Sequence, residues 1–176
     1  MDAALLTDSL PADVTGWWVS EKYDGVRAIW TGTKLLSRHG KDLKAPTWFT
    51  DGLPKNHRLD GELWMGRGTF NALLSCLQKK DWECVRYMVF ETAVLGLPFE
   101  LRQSDLHFIR VPGHCHKVIH RQLSNNADLD DTEKKIVSQG GEGCVIRRPG
   151  SPYRPGRMGD VIKVKRLVSD VERWQG

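Results

Sequence analysis

Short segments that alternate apolar and polar residues recur along the chain, and they constrain the fold more than any other feature. They are rich in Val, Ile and aromatic residues, which favours half-buried β-strands. The segments read WWVSEKY, VRAIWTG, TKLLSR, HRLDGELWM, CVRYMVFETAV, HKVIHRQL, GCVIRR and DVIKVKRLV. A tight-turn sequence, TGT at 31–33, would join two of them into a hairpin. The chain is therefore predicted to build antiparallel sheets.

Three other segments predict helices. GTFNALLSCLQKK carries Phe70, Leu73, Leu74 and Leu77 at the spacing of one buried helical face. LPFELRQSDLHFIR has a proline in its first turn, and DLDDTEKKIVSQGG has acidic residues early, lysines later and glycines at its end. The predicted fold class is α+β, with antiparallel sheets flanked by helices. Because no long Pro/Gly/Ser linker divides the 176 residues, one domain over 1–176 is expected.

The composition fits a folded chain with a mild preference for anionic partners. Hydrophobic residues make up 40% and charged residues 27%, which excludes global disorder, and the net charge is +4. The N-terminus lacks a basic start followed by an apolar core, so neither a secretion signal nor a membrane partner is expected. The four cysteines lack C-x-x-C spacing and predict free thiols. The expected location is cytoplasmic, or periplasmic if an export signal has been removed.

Several of the strand segments place charges on one face. Lys163 and Lys165 share one side of DVIKVKR, and Asp60 and Glu62 share one side of LDGELW. Glu142 stands between two glycines, where the backbone can approach a ligand closely. Taken singly, each pattern is more typical of the solvated outer face of a sheet than of a site.

Taken in order, these segments resemble the signature of the covalent nucleotidyltransferases. That family includes the ATP-dependent DNA ligases and, more distantly, RNA ligases and mRNA capping enzymes. The matching elements are KYDGVR, SRHG, LDGELW, MVFETA, GEGCVIRR and IKVKR. The stretches WWVSEKYDGVRAIW, APTWFTDGLP, LDGELWMGRGTF and SPYRPGR are similar to the minimal bacterial ligases called ligase E.

The resemblance implies an adenylation domain over 1–176 with an ATP-grasp-like architecture of two sheets. It also implies that the C-terminal OB-fold domain of such ligases is absent from this chain, to be supplied by a longer protein or a partner. By the same resemblance, Lys22 is the nucleophile that takes AMP from ATP. An amine attacks phosphorus only when it is unprotonated, a state that desolvation and the cations of Lys163, Lys165 and a bound metal would favour.

The remaining nucleotide contacts are likewise implied by the resemblance. Arg27 would contact the ribose or a phosphate of ATP, and Glu62 the ribose hydroxyl. The ring of Phe90 would stack on adenine, while backbone groups around Glu21 would read the adenine edge.

Three further residues are implied to contact phosphate or metal. Arg38 would bind the 5′-phosphate of a DNA nick, and Arg157 a further phosphate. Glu142 would help to hold Mg²⁺ through water.

Some of these residues could instead have a purely structural role. Phe90 alternates with Met88 in an apolar strand and could simply pack in the core. Arg38 could be a solvated strand end, and Asp60 is interpreted as structural. The His and Cys residues of HCHKVIH fit no zinc spacing and are interpreted as a surface loop and strand.

The function expected from the resemblance is that of a monomeric ATP-dependent DNA ligase that acts on nicked double-stranded DNA. The alternatives are an RNA ligase or capping-type enzyme with the same lysine chemistry, or a non-catalytic module that binds nucleotides or nicks. These alternatives differ in the nucleotide that becomes attached and in whether any becomes attached at all.

Overall fold

The computed structural model describes residues 10–154 and 159–165, which divide into two compact units. Unit 1 takes its described residues from Met1–Tyr23, His120–Pro149 and Pro155–Gly176. Unit 2 consists of Asp24–Ile119 and Gly150–Arg154. The α+β class is confirmed, and nearly all strand pairs are antiparallel, as the alternating segments predict.

Unit 1 contains a four-stranded sheet in the order β7-β1-β8-β9. These strands are β1 (Trp18–Glu21), β7 (Arg121–Gln122), β8 (Cys144–Arg147) and β9 (Val161–Val164). Its helix, α4 (Asn126–Ser138), begins where the Asn125 side chain accepts a 2.9 Å hydrogen bond from the backbone N–H of Asp128. The core beneath the sheet is apolar and comprises Val14, Trp17, Val19, Leu123, Leu129, Cys144, Ile146, Ile162 and Val164.

Unit 2 contains a five-stranded sheet in the order β3-β2-β4-β5-β6. The strands are β2 (Val26–Trp30), β3 (Leu35–Ser37), β4 (Leu59–Trp64), β5 (Arg86–Thr92) and β6 (Cys115–Lys117). Its helices are α1 (Thr47–Thr50), α2 (Phe70–Lys79) and α3 (Phe99–Phe108). An aromatic cluster anchors the core, in which the Phe49 and Trp82 ring centroids lie 4.8 Å apart at an edge-on angle.

The three predicted helices are confirmed as α2, α3 and α4, and the predicted turn joins β2 to β3. In that turn the Thr31 N–H donates to the carbonyl of Lys34 at 3.0 Å. The prediction of one strand over HKVIHRQL is wrong. Its first part is β6, which pairs in parallel with β5, and its second part is β7, which pairs with β1 in the other sheet. Alternation along a segment does not show that the chain changes sheets within it.

A β-bulge interrupts the pairing of β4 with β5. Asp60 pairs with Glu91, but the next residue, Gly61, pairs with Val89, which leaves Phe90 as the additional residue of β5. Bulges of this kind redirect side chains and are frequent near functional sites. No helix in 10–154 or 159–165 has the length and apolar character needed to cross a membrane.

The close contact of Gly61 with β5 predicts a large effect of adding one methyl group. A Cβ at this position would lie 2.3 Å from the Met88 carbonyl oxygen and 2.7 Å from a ring carbon of Tyr87. Gly61→Ala should lower the free energy of unfolding by about 2 kcal/mol, measured by urea denaturation. Gly113→Ala is the matched control, since a Cβ there meets no atom within 4 Å. Equal stability of the two variants would contradict the packing described for β4 and β5.

Candidate nucleotide-binding and catalytic site

The Lys22 side chain lies beside a carboxylate in unit 1. Lys22 follows the last residue of β1, and its backbone N–H donates to the Gly143 carbonyl at 2.9 Å. Its Nζ is in ion-pair contact with Oε2 of Glu142. Only 13% of the Lys22 side chain is exposed, so the ammonium group is largely withdrawn from bulk solvent. The sequence-based expectation of a lysine in a desolvated, charged setting fits this geometry.

A second lysine contacts the same carboxylate. Lys165 Nζ contacts Oε1 of Glu142, so both carboxylate oxygens bind ammonium groups. Because two cations share one anion, the cluster of Lys22, Glu142 and Lys165 carries a net positive charge. Such a cluster suits the oxygens of a phosphate group, which can accept hydrogen bonds from both lysines.

Backbone packing explains why glycines flank Glu142. A Cβ on Gly143 would lie 2.2 Å from the Val164 carbonyl oxygen, and one on Gly141 would lie 2.4 Å from Cγ2 of Ile136. Gly143 also has a φ of +137°, which side-chain-bearing residues rarely adopt. These two glycines let the chain carrying Glu142 pass close to α4 and to the end of β9.

Strand β9 presents its lysines as the alternation predicts. Ile162 and Val164 are buried, whereas Lys163 is exposed on the other face. Lys165 follows the strand and remains partly covered, with 35% of its side chain exposed. On β1, Glu21 is half-buried and pairs with Cys144 of β8. The structure therefore places Glu21, Lys22, Glu142, Lys163 and Lys165 in unit 1.

Unit 2 positions Arg27 by a bidentate ion pair. Arg27 Nε and Nη2 donate to the two Asp60 carboxylate oxygens at 2.5 and 2.6 Å. Asp60 is fully buried, whereas 40% of the Arg27 side chain is exposed. Burial alone would lower the pKa of Arg27, but its hydrogen bonds to Asp60 and the charges of Asp60 and Glu62 raise it above the ordinary value. Arg27 therefore stays charged with one side of its guanidinium fixed.

The other predicted contacts of unit 2 lie on neighbouring strands. Arg27 on β2 is directly opposite Glu62 on β4. The guanidinium carbon of Arg27 lies 5.3 Å from the centroid of the Phe90 ring, which is buried at the bulge. Arg38 is exposed in the turn after β3, where the Gly40 N–H donates to the Ser37 carbonyl. The structure thus brings together Arg27, Glu62 and Phe90.

A second side chain besides Arg27 binds Asp60, and the sequence analysis assigned it no role. The Tyr153 hydroxyl donates to Oδ2 of Asp60 at 2.8 Å. The structural interpretation of Asp60 fits these contacts, since its carboxylate binds Arg27 and Tyr153. The stretch SPYRPGR, which contains Tyr153, was noted for its similarity to ligase E. Its distance from Asp60 along the chain conceals the pairing of the two residues. Arg157, the other residue predicted in that stretch, lies outside the described residues.

The described residues fit a magnesium ion only in a largely hydrated form. Across these residues no three His, Cys, Asp or Glu side chains come together in a metal-binding group. Glu142 offers a single carboxylate that two ammonium groups already contact. Hydrated Mg²⁺ commonly binds through one or two carboxylates together with substrate phosphates, so one ligand at Glu142 suffices for that mode.

The structure describes the surroundings of two residues in the HCHKVIH segment, His114 and Cys115. The His114 ring contacts the Phe49 carbonyl at 2.7 Å, as an N–H donor to that oxygen. Cys115 is buried, and burial raises the pKa of its thiol to about 12, so it stays protonated at neutral pH.

The buried carboxylate of Asp60 predicts a stability defect when its charge is removed. Asp60→Asn should lower the free energy of unfolding by about 2 kcal/mol, since an amide cannot accept both Arg27 N–H groups. Urea denaturation measures this change. Asp42→Asn is the control: its carboxylate pairs with exposed Lys34 and Lys44, and the midpoint should hardly move. Similar losses in both variants would contradict the special role of Asp60.

Comparisons with known proteins show the family of the chain. Residues 10–165 match the family described as ATP dependent DNA ligase domain. A DNA ligase of Haemophilus influenzae is 30% identical over 158 residues, which cover 86% of this chain and 59% of that protein.

Solved structures show the same fold. A Lig E DNA ligase structure, 35% identical, superposes with a TM-score of 0.80 over 88% of this chain and 63% of its own. A Chlorella virus DNA ligase–adenylate, 22% identical, has a TM-score of 0.74 over 90% of this chain and 64% of its own. The chain thus spans about three fifths of the length of these relatives. With the family match extending over 10–165, the chain belongs to the ATP-dependent DNA ligase domain family.

Proposed function

We propose that this chain is the catalytic adenylation domain of an ATP-dependent DNA ligase. The observation that carries the proposal is the contact of the largely buried Lys22 with Glu142, which Lys165 also contacts. A charged lysine at this degree of burial needs a partner or a chemical role, and this one lies beside an acceptor for its proton.

The first step would join AMP to Lys22. The Lys22 ammonium gives up a proton, for which the contacting Glu142 carboxylate is an acceptor. The neutral amine then forms a bond to the α-phosphorus of ATP, the bond from that phosphorus to pyrophosphate breaks, and a second proton leaves the nitrogen. The products are a lysyl-AMP phosphoramidate and pyrophosphate. Lys165 and Lys163 would neutralise the phosphate oxygens as charge builds on them.

The family resemblance also suggests which residues would bind the nucleoside part. Arg27 would contact the ribose or a phosphate, Glu62 the ribose hydroxyl, and Phe90 the adenine ring. Backbone groups near Glu21 would read the adenine edge. Mg²⁺, held through water at Glu142, would supply further neutralisation of the phosphates when bound.

In the later steps, AMP would move to the 5′-phosphate of a DNA nick, and the adjacent 3′-hydroxyl would displace AMP and close the strand. Arg38, exposed in its turn, would grip the 5′-phosphate with its planar guanidinium. Nicked DNA is inferred as the substrate because the matching relatives are DNA ligases. The need for an OB-fold domain, a monomeric state and a cytoplasmic location stay predictions.

Removing the Lys22 amine tests the proposal directly. Lys22→Ala should abolish covalent labelling by α-³²P-ATP in the presence of Mg²⁺, since Lys165, which also contacts Glu142, is more exposed and is assigned to charge neutralisation. Lys34→Ala is the matched control: 63% of the Lys34 side chain is exposed and it lies 3.6 Å from Asp42, so labelling should persist. Covalent AMP of undiminished amount on the Lys22→Ala variant would refute the assignment.

The choice of nucleotide separates the proposal from its alternatives. The wild-type chain should become labelled by ATP and not by GTP, and pyrophosphate with Mg²⁺ should remove the label. Attachment of GMP would instead indicate a capping-type enzyme. Tight ATP binding with no covalent product would indicate a non-catalytic binding module.

A further inference from the structure

We propose that Tyr153 is a positioning residue for nucleotide binding, which acts through the Asp60 carboxylate to fix the guanidinium of Arg27. This inference rests on the proposed function, in which Arg27 contacts ATP. It adds a residue from 150–154, a segment that lies far along the chain from β2 and β4 and yet belongs to the same compact unit.

The Asp60 carboxylate accepts hydrogen bonds from two different side chains. Arg27 Nε donates to Oδ1 at 2.5 Å, and Arg27 Nη2 donates to Oδ2 at 2.6 Å. The Tyr153 hydroxyl donates to the same Oδ2 at 2.8 Å. Since the carboxylate is fully buried, these contacts replace its hydration, and each one restricts the rotation of the carboxylate about its own axis. An oriented carboxylate in turn orients the planar fork of Arg27.

The Arg27 side chain has a free edge to offer a ligand. Its Nε and Nη2 both bind Asp60, and the ring of Phe90 lies 5.3 Å from its central carbon. Within the described residues, Nη1 makes no hydrogen bond with protein, and 40% of the side chain is exposed. The edge that carries Nη1 can therefore donate to an oxygen of ribose or phosphate, provided that the opposite edge stays fixed.

The segment that carries Tyr153 is itself anchored. The Tyr153 carbonyl accepts from the Gly96 N–H at 3.0 Å, and its N–H donates to the Leu97 carbonyl at 3.3 Å. Nη1 of the buried Arg102 donates to the Ser151 carbonyl at 2.8 Å. Because the backbone around Tyr153 is constrained, its hydroxyl has a defined position. Its hydrogen bond to Asp60 therefore orients the carboxylate as well as stabilising it.

The Arg102 side chain is in turn fixed by an ion pair. Its Nε donates to Oε2 of Glu91 at 2.5 Å, and both groups are buried. Its guanidinium carbon also lies 5.6 Å from the centroid of the Tyr153 ring. The ring is thus held from one side while its hydroxyl reaches Asp60.

The Tyr153 hydroxyl keeps its proton over the working pH range. Burial raises its pKa above the ordinary value, and the negative charge of Asp60 raises it further, so the hydroxyl remains a donor.

The test measures nucleotide affinity rather than turnover. The probe is α,β-methylene-ATP, which cannot transfer AMP, titrated with Mg²⁺ into the wild-type chain and into Tyr153→Phe by calorimetry. Loss of one hydrogen bond to a charged group should weaken binding by about tenfold. Thr50→Val is the control, because it removes an exposed hydroxyl that donates to the Thr47 carbonyl at 3.1 Å within α1, and this loss should leave affinity unchanged.

A double-mutant cycle separates positioning from general loss of structure. In an Arg27→Ala background, Tyr153→Phe should have no further effect on affinity, since its influence passes through Arg27. Thermal unfolding checks that each variant is folded at the assay temperature. If Tyr153→Phe is unfolded there, Tyr153→His, which keeps a hydrogen-bond donor, serves as the second variant. An additive effect in the Arg27→Ala background, or an equal loss of affinity in Thr50→Val, would overturn the positioning role.

The outcomes distinguish this inference from the function on which it rests. A wild-type chain that binds the analogue but forms no lysyl-AMP would overturn the proposed function, and the cycle would still measure the role of Tyr153. A chain that forms lysyl-AMP while Tyr153→Phe binds the analogue as tightly as wild type would overturn the inference alone. Unchanged affinity in Arg27→Ala would also overturn it, since Tyr153 would then have no nucleotide contact to position.

Discussion

The carboxylate of Glu142 holds two ammonium groups at the end of one small sheet, and the chemistry proposed for this chain depends on that contact. Lys22 would be costly to bury alone, and Lys165 beside it would add repulsion. One shared anion resolves both problems in the absence of nucleotide. In the proposed reaction, the same lysines would gain phosphate oxygens as further anionic partners, and the carboxylate would become available to accept a proton.

Unit 2 uses buried charge in a different way. There the Asp60 carboxylate is fully enclosed, and its partners, Arg27 and Tyr153, come from opposite ends of the sequence of that unit. The ion pair orients the Arg27 guanidinium, because it fixes one edge of the group and leaves the other exposed. In the proposed function the charges of unit 1 would take part in the reaction, whereas those of unit 2 would orient a side chain.

Local patterns predicted local structure well. The spacing of Phe70, Leu73, Leu74 and Leu77 predicted a helix, and the helix is confirmed. The burial of Leu74 on that face was predicted wrongly, since its side chain is exposed. Alternation likewise predicted that Ile162 and Val164 face away from Lys163, and the structure buries the first two and exposes the third. The nucleophile candidate was found through the ordered motifs, and its low exposure agrees with the chemistry expected of it.

Features that depend on pairing between distant segments were not predictable in this way. The bulge at Phe90 arises from the register of β4 against β5, which no single strand encodes. The change of sheet within HKVIHRQL has the same origin, because each half finds its partner in a different strand. The bond of Tyr153 to Asp60 joins residues 93 positions apart, so neither local sequence reveals it.

The central claim is that the amine of Lys22 is the group that becomes adenylated. Tandem mass spectrometry of proteolytic fragments from the wild-type chain, after incubation with ATP and Mg²⁺, locates the adduct directly. We expect AMP on the fragment that contains KYDGVR, at Lys22 alone. AMP on Lys163, Lys165 or another residue, with Lys22 unmodified, would contradict the claim.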